Sequence, residues 1–160
     1  MIAQIERSAE IEPPSIAAVD DASCAAQVDR IMAMTHLPIS AHVALIGHHT
    51  LSSLMALLKH GCGAVRCLRP GTPSPDREIA DLAWIVDVRG DDELDEALHA
   101  ARVRLSQRGR VVVEGAGCAC RAGLVAIRDH AMAAGLDVVS FDHVANRVVL
   151  AIQPRLALVV

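Results

Sequence analysis

Short apolar runs alternate with longer periodic segments along most of this chain. Apolar runs that stop at a glycine, a proline or a polar residue are typical of buried strands, and they occur at 42–47, 64–69, 82–88 and 110–117. Segments with apolar positions three or four residues apart predict helices, one from Ser23 to the residue before Pro38 and others at 51–61, 91–109 and 121–135. Two final runs, 136–144 and 146–154, lie so close together that they predict an antiparallel hairpin.

The alternation of strands and helices predicts an α/β fold. Parallel neighbours need a crossover of a dozen or more residues, and the predicted helices supply it. The stretch 70–76 contains three prolines, so we expect a loop there rather than a helix or a central strand. The pattern predicts a mostly parallel sheet of about six strands, with helices on both faces and a C-terminal antiparallel hairpin.

The first 22 residues differ from the rest of the chain. They are rich in acidic residues, contain Pro13 and Pro14, and show no sustained period. The whole chain has 160 residues, which is the length of one ordinary domain. We therefore expect an acidic N-terminal arm at 1–22 and a single domain at 23–160.

Charge and composition exclude several classes of protein. The chain has 15 basic and 19 acidic residues with no basic cluster, so we expect no binding to nucleic acid. Trp84 and Phe141 are the only aromatic residues, too few for a surface that stacks bases or sugars. No apolar run is long enough to span a membrane, and the start MIAQIERSAEIEPP lacks a secretory signal. We expect a cytoplasmic protein with reduced cysteines.

The order of elements resembles a known family. With its closing segment GLDVVSFDHVANRVVLAIQP (135–154), the chain resembles the Rossmann-like fold of class I S-adenosylmethionine-dependent methyltransferases. The resemblance covers 42–154. In that family a further strand lies between the strands that 64–69 and 82–88 represent, and here the proline-rich loop takes its place. The missing strand would be an edge strand, so its loss leaves the core of the sheet intact.

The cofactor motif departs from the family pattern at two places. The turn after the first strand reads Gly47-His48-His49, so only the first glycine of the glycine-rich turn is present and two imidazole rings replace small residues. The family has an acidic residue at the end of the second strand, where this chain has Arg69. The resemblance implies that Gly47, His49, Arg69 and Asp87 are the candidate cofactor-binding residues.

Polar residues follow the strands that the resemblance makes neighbours in the sheet. Because ligands bind beyond the carboxyl ends of parallel strands, we expect His48, His49, Asp87 and Glu114 on one rim. In a catalytic interpretation, Asp87 positions or deprotonates a methyl acceptor, and His48 or His49 assists as a base near neutral pH. In a structural interpretation, Asp87 caps the following turn and the histidines are ordinary loop residues.

Cys118 and Cys120 form a C-x-C pair after the fourth strand. Together with His48 and His49 they would supply thiolate and imidazole ligands for zinc, or a redox-active pair of thiols. The spacing differs from the C-x₂-C of a zinc knuckle, and there is only one such pair. We therefore expect no metal site, and small residues in a tight turn explain the pattern.

The last six residues, RLALVV at 155–160, are mostly apolar. We expect them to extend the last strand or to pack against a second copy, which favours a homo-oligomer. The acidic arm is a second candidate for contact with a protein partner.

The sequence thus predicts a non-catalytic, methyltransferase-like module with a degenerate S-adenosylmethionine site, acting in protein interaction or oligomerisation. Two alternatives stay open. One is an active S-adenosylmethionine-dependent methyltransferase with a small-molecule substrate. The other is a protein that senses metal or redox state through cysteine and histidine.

Overall fold

The fold is that of a computed structural model, which describes residues 21–73, 78–115 and 123–154. The predicted arm at 1–22, apart from its last two residues, and the apolar tail 155–160 lie outside the described residues. The elements in chain order are helix α1 (Asp21–Thr35), strand β1 (His42–Ile46), helix α2 (Leu51–His60), strands β2 (Ala64–Leu68) and β3 (Ala80–Ile85), helix α3 (Asp91–Arg104), strand β4 (Leu105–Glu114), helix α4 (Gly123–Ala133), and strands β5 (Leu136–Asp142) and β6 (Arg147–Ile152).

One six-stranded sheet organises the described residues, in the order β2-β1-β3-β4-β6-β5. The first four strands in that order are parallel, and β6 pairs antiparallel with both β4 and β5. The register aligns Leu45 with Trp84 and Trp84 with Val112 in the middle of the sheet. The predicted α/β fold, with a mostly parallel sheet and a closing antiparallel hairpin, is confirmed.

Two hydrophobic clusters fill the two faces of the sheet. On one face α1 and α2 bury apolar side chains such as Val28, Ile31 and Leu57 against the sheet. On the other face α3 and α4 do the same through side chains such as Leu98 and Ile127. Because successive side chains of a strand point to opposite faces, each central strand contributes to both clusters. Burial of both faces explains why the sequences of the central strands are continuous apolar runs.

The predicted helix 91–109 is wrong in its last turn. The helix ends at Arg104, and Leu105 already has extended backbone and pairs with Ala80 of β3. Leu94, Leu98 and Leu105 fit a helical spacing in sequence, and all three are buried, but Leu105 reaches the core from the strand. A register shift between Ala80 and Leu82 accommodates the extra residues of β4.

The hairpin turn is longer than the sequence indicated. Strand β5 ends at Asp142, and its carboxylate accepts hydrogen bonds from the backbone N–H groups of Val144 (3.1 Å) and Ala145 (3.0 Å). Asn146 completes the turn with a positive φ of 53°. The turn therefore occupies 143–146, and both strands are shorter than predicted. No helix in the described ranges is long and apolar enough to cross a membrane.

Candidate functional site

The turn after β1 brings the ends of three strands together. The backbone N–H of Gly47 donates to the carbonyl of Leu68 (3.0 Å), and that of His48 lies 3.4 Å from the carbonyl oxygen of Asp87. Gly47 has a φ of +149°, and a Cβ atom placed on it would lie 1.8 Å from the carbonyl oxygen of Val86. The glycine is therefore required by the close approach of the backbone that follows β3.

His48 is tied to the first turn of α3. Its Nε2 atom lies 3.1 and 3.0 Å from the two carboxylate oxygens of Glu93. The backbone N–H of Arg89 also donates to this carboxylate, at 2.7 Å. That hydrogen bond, and then the one with His48, holds the pKa of Glu93 below its usual value. Glu93 thus joins the start of α3 to the turn after β1.

His49 makes a second imidazole–carboxylate pair. Its Nδ1 atom is hydrogen-bonded to Oδ2 of Asp87, just after β3. The hydrogen bond with His49 lowers the pKa of Asp87. Asp87 has a positive φ of 44°, a backbone conformation that few residues other than glycine adopt. Since Nδ1 is engaged, Nε2 is the ring nitrogen through which His49 would exchange a proton.

The two histidines form one wall of a shallow cleft of about 540 Å³ at the carboxyl ends of β1 and β2. The other lining residues come from the start of α2 and from β2; they are Thr50, Leu51, Ser52, Leu54 and Cys67. Of the residues that the sequence assigned to a cofactor, the structure brings Gly47, His49 and Asp87 together beside this cleft. Arg69 lies elsewhere, in a cleft of about 310 Å³ with Glu96 and His99 of α3.

The residues at this edge differ from the cofactor-binding pattern of the family that the sequence resembles. In a glycine-rich turn the second glycine lets the backbone approach a ligand closely, and here His49 stands at that position. Ribose hydroxyls need an acidic acceptor at the end of β2, and that position carries Arg69. Instead of small residues, the turn has two imidazole rings held by carboxylates.

Glu114, which the sequence also assigned to this rim, belongs to a separate polar cluster. Its Oε1 atom accepts hydrogen bonds from Nε1 of Trp84 (2.9 Å) and Nε of Arg147 (2.6 Å). Burial raises the pKa of Glu114 against the opposing effect of Arg147. The Arg147 side chain is almost completely buried. Trp84 and Arg147 were missed by the sequence analysis, because nothing local to either residue indicates its partner.

Cys24, Cys62 and Cys67 are the thiols within the described residues. No group of three or more histidine, cysteine or acidic side chains within 21–73, 78–115 and 123–154 is arranged to hold a metal ion. Cys118 and Cys120 lie outside the described residues. Cys24, Cys62 and Cys67 are free thiols, and burial raises the pKa of Cys62.

Comparison with known proteins identifies the fold. No protein-family model and no curated protein sequence matches the chain. Solved structures do match it. A TehB-like SAM-dependent methyltransferase from Corynebacterium glutamicum superposes with a TM-score of 0.57 at 15% identity, over 82% of this chain and 87% of that one. The sugar N-methyltransferase KedS8 from Streptoalloteichus gives a TM-score of 0.60 at 13% identity, over 96% and 98%.

A third structure, DesVI from Streptomyces venezuelae, gives a TM-score of 0.61 at 12% identity, over 84% of this chain and 92% of that one. The predicted resemblance is thereby confirmed at the level of the fold. The chain has the class I methyltransferase-like Rossmann fold.

Proposed function

We propose that this chain is a methyltransferase-fold module that does not bind S-adenosylmethionine and that acts through contacts with protein. The observation that carries the proposal is the pair of imidazole–carboxylate contacts across the turn after β1. His48 is held by Glu93, and His49 is held by Asp87. A cofactor lying along this turn would meet two imidazole rings that the folded chain already holds by hydrogen bonds.

The single glycine of the turn supports the same conclusion. Gly47 matches the first glycine of a cofactor-binding turn, but the contact with Val86 explains its presence without any ligand. Arg69 faces the cleft beside α3 rather than the cleft of the two histidines. The chain thus keeps the scaffold of the fold, and Arg69 stands where the family has the acidic residue that holds a ribose.

An active methyltransferase with a small-molecule substrate is the second candidate. The hydrogen bond between His49 and Asp87 favours it, because a carboxylate that orients an imidazole is a common arrangement for general-base catalysis. The cleft of about 540 Å³ beside the pair is large enough for a small ligand. In this interpretation Asp87 orients the ring, and Nε2 of His49 takes a proton from the methyl acceptor.

Ligand-dependent stability distinguishes the two candidates. A ligand that binds only the folded state raises the free energy of unfolding, by about 2.7 kcal/mol when its concentration is a hundred times its dissociation constant. We expect the urea midpoint to be the same with and without S-adenosylmethionine at about 1 mM. A midpoint that rises with cofactor concentration would instead support the enzyme. Methionine and adenosine at the same concentration are the matched controls for weak, unspecific effects.

A further inference from the structure

A cleft of about 330 Å³ lies between α1 and the adjoining ends of β4 and β6. Glu114 ends β4, and Arg147, the first residue of the antiparallel β6, is its partner in the register. Among the described residues, this cleft shares no lining residue with the cleft of the two histidines. Its volume is within the range of pockets that bind small molecules. It is therefore a separate candidate site.

Arg147 supplies a buried guanidinium group to the lining of this cleft. Its side chain is only 3% exposed, and its Nε atom donates to Oε1 of Glu114 at 2.6 Å. The same oxygen accepts a second hydrogen bond from Nε1 of Trp84, at 2.9 Å. Within 21–73, 78–115 and 123–154, no hydrogen bond runs from Nη1 or Nη2 of Arg147 to a protein group. Buried N–H donors need an acceptor, so these donors are left for water or for a ligand in the cleft.

Helix α1 supplies a second guanidinium group. The residues of α1 that line the cleft are spaced as neighbours on one side of a helix; they are Ser23, Ala26, Gln27 and Arg30. All of them are exposed. Arg30 makes no hydrogen bond or ion pair with a residue of the described ranges. A guanidinium, an amide and a hydroxyl group of α1 thus border the same space as the guanidinium of Arg147.

We propose that this cleft binds a small organic carboxylate, which Arg147 and Arg30 hold through their guanidinium groups. A guanidinium presents a planar fork of N–H donors that matches the two oxygens of a carboxylate. The amide of Gln27 adds a further donor, and Ala26 and Ala145 offer methyl groups to the carbon chain of the ligand. This inference goes beyond the proposed function, because it concerns a small molecule and not a contact with protein.

The charges around the cleft favour a ligand with a single negative charge. The two arginines are balanced in part by Glu114, which lines the cleft, and by Asp142, whose carboxylate is within electrostatic range of both arginines. A ligand with two negative charges, such as phosphate near neutral pH, would be repelled more strongly by these carboxylates than a ligand with one. We therefore expect a carboxylate to bind more tightly than inorganic phosphate.

Nuclear magnetic resonance of the full chain tests the site, because Trp84 is the only tryptophan and gives a single indole N–H signal. This N–H group donates to Glu114 beside Arg147, so a ligand on Arg147 should shift the signal. Butyrate is the probe. We expect a saturable shift with half-saturation on the order of 10 mM, since so small a ligand makes few contacts. Butyramide, which has a similar shape without the charge, and sodium chloride at the same ionic strength are the controls and should give no saturable shift.

Two variants with opposite expected effects tie the signal to this cleft. Arg30→Gln removes one guanidinium and should raise the butyrate concentration at half-saturation about threefold. Arg128→Gln is the matched control, because Arg128 is also an exposed arginine on a helix but lies on α4, on the other face of the sheet. Glu114→Gln removes the carboxylate that competes for Arg147 and keeps an amide oxygen for Trp84, so it should lower the half-saturation concentration. If one variant fails to fold by circular dichroism, the other still tests the site.

Three results would overturn the carboxylate site. A wild-type signal without a saturable shift up to about 100 mM butyrate excludes carboxylate binding in this cleft. A folded Arg30→Gln variant that binds butyrate as the wild type does contradicts a site made of two arginines. Half-saturation by phosphate at a lower concentration than by butyrate contradicts the class of ligand. Because butyrate has no adenosyl group, none of these results decides whether the chain binds S-adenosylmethionine, and the two proposals fail separately.

Discussion

The Nε2 atom of His48 lies 3.0 Å from a carboxylate oxygen of Glu93, although 45 residues separate the two in the sequence. The contact joins the turn after β1 to the first turn of α3. The pair of His49 and Asp87 is a second imidazole–carboxylate contact at the same turn. The turn is thus stabilised from within the chain.

Replacing Gly47 by alanine is expected to destabilise the fold by about 3 kcal/mol or more. The added methyl group would lie 1.8 Å from the carbonyl oxygen of Val86, so β1 or the segment after β3 must move. Urea unfolding measures the loss. Gly61→Ala is the control, because Gly61 also has a positive φ but its Cβ position makes only an ordinary contact at 3.5 Å. We expect a loss of about 1–2 kcal/mol there; equal losses would contradict the packing explanation.

Glu114 and Arg147 form a buried pair. Removing one partner is expected to lower the free energy of unfolding more than removing both. Glu114→Ala leaves the guanidinium of Arg147 buried without its carboxylate, which typically destabilises by about 3–5 kcal/mol. The double variant Glu114→Leu with Arg147→Met removes both charges and should recover a large part of this loss. Urea unfolding measures the free energy of unfolding of each variant. If the double variant loses as much as the two single variants added together, the buried ion pair is contradicted.

Acid is expected to destabilise the protein through Asp87 and Glu93. Hydrogen bonds in the folded state lower the pKa of both carboxyl groups, so both bind protons more weakly when folded than when unfolded. Their contribution to the free energy of unfolding is fully present above the pKa values of these groups in the unfolded chain, near 4. It is lost as the pH falls through their lower pKa values in the folded chain. Unfolding midpoints measured across this range should therefore decrease toward acid.

In the double variant Asp87→Asn with Glu93→Gln, the unfolding midpoint should decrease less steeply toward acid than in the wild type. Asp92→Asn, which removes an exposed carboxyl group from the same turn of α3, is the control and should leave the slope unchanged. A wild-type slope in the double variant would show that these two carboxylates do not carry the effect.

The sequence predicted the middle of the sheet well because central strands such as β1 and β3 are buried on both faces. Continuous apolar runs such as HVALI of β1 mark such strands directly, and the crossover rules then limit their order. The end of α3 was predicted wrongly, since Leu105 has a helical spacing from Leu98 but takes its place in the core as part of β4. Only the pairing of Leu105 with Ala80 shows that Leu105 belongs to a strand and not to the helix, and these residues are far apart in the sequence.

The sequence indicated which strand ends carry the residues of the candidate site, but it did not indicate all of the contacts that these residues make. The carboxyl ends of β1 and β3 were expected to bring His48, His49 and Asp87 together, and they do. Glu93 was missed as the partner of His48, although an acidic residue in the first turn of a helix that follows a strand is a usable signal. The position of Arg69 in a different cleft could not be predicted, because it depends on how the loop after β2 packs against α3.

Calorimetric titration with S-adenosylhomocysteine tests the central claim most directly. If the two imidazole–carboxylate pairs close the cofactor edge, the wild-type chain should give no heat beyond dilution at about 1 mM ligand. A saturable isotherm with micromolar affinity and one site per chain would contradict the account and favour an active methyltransferase.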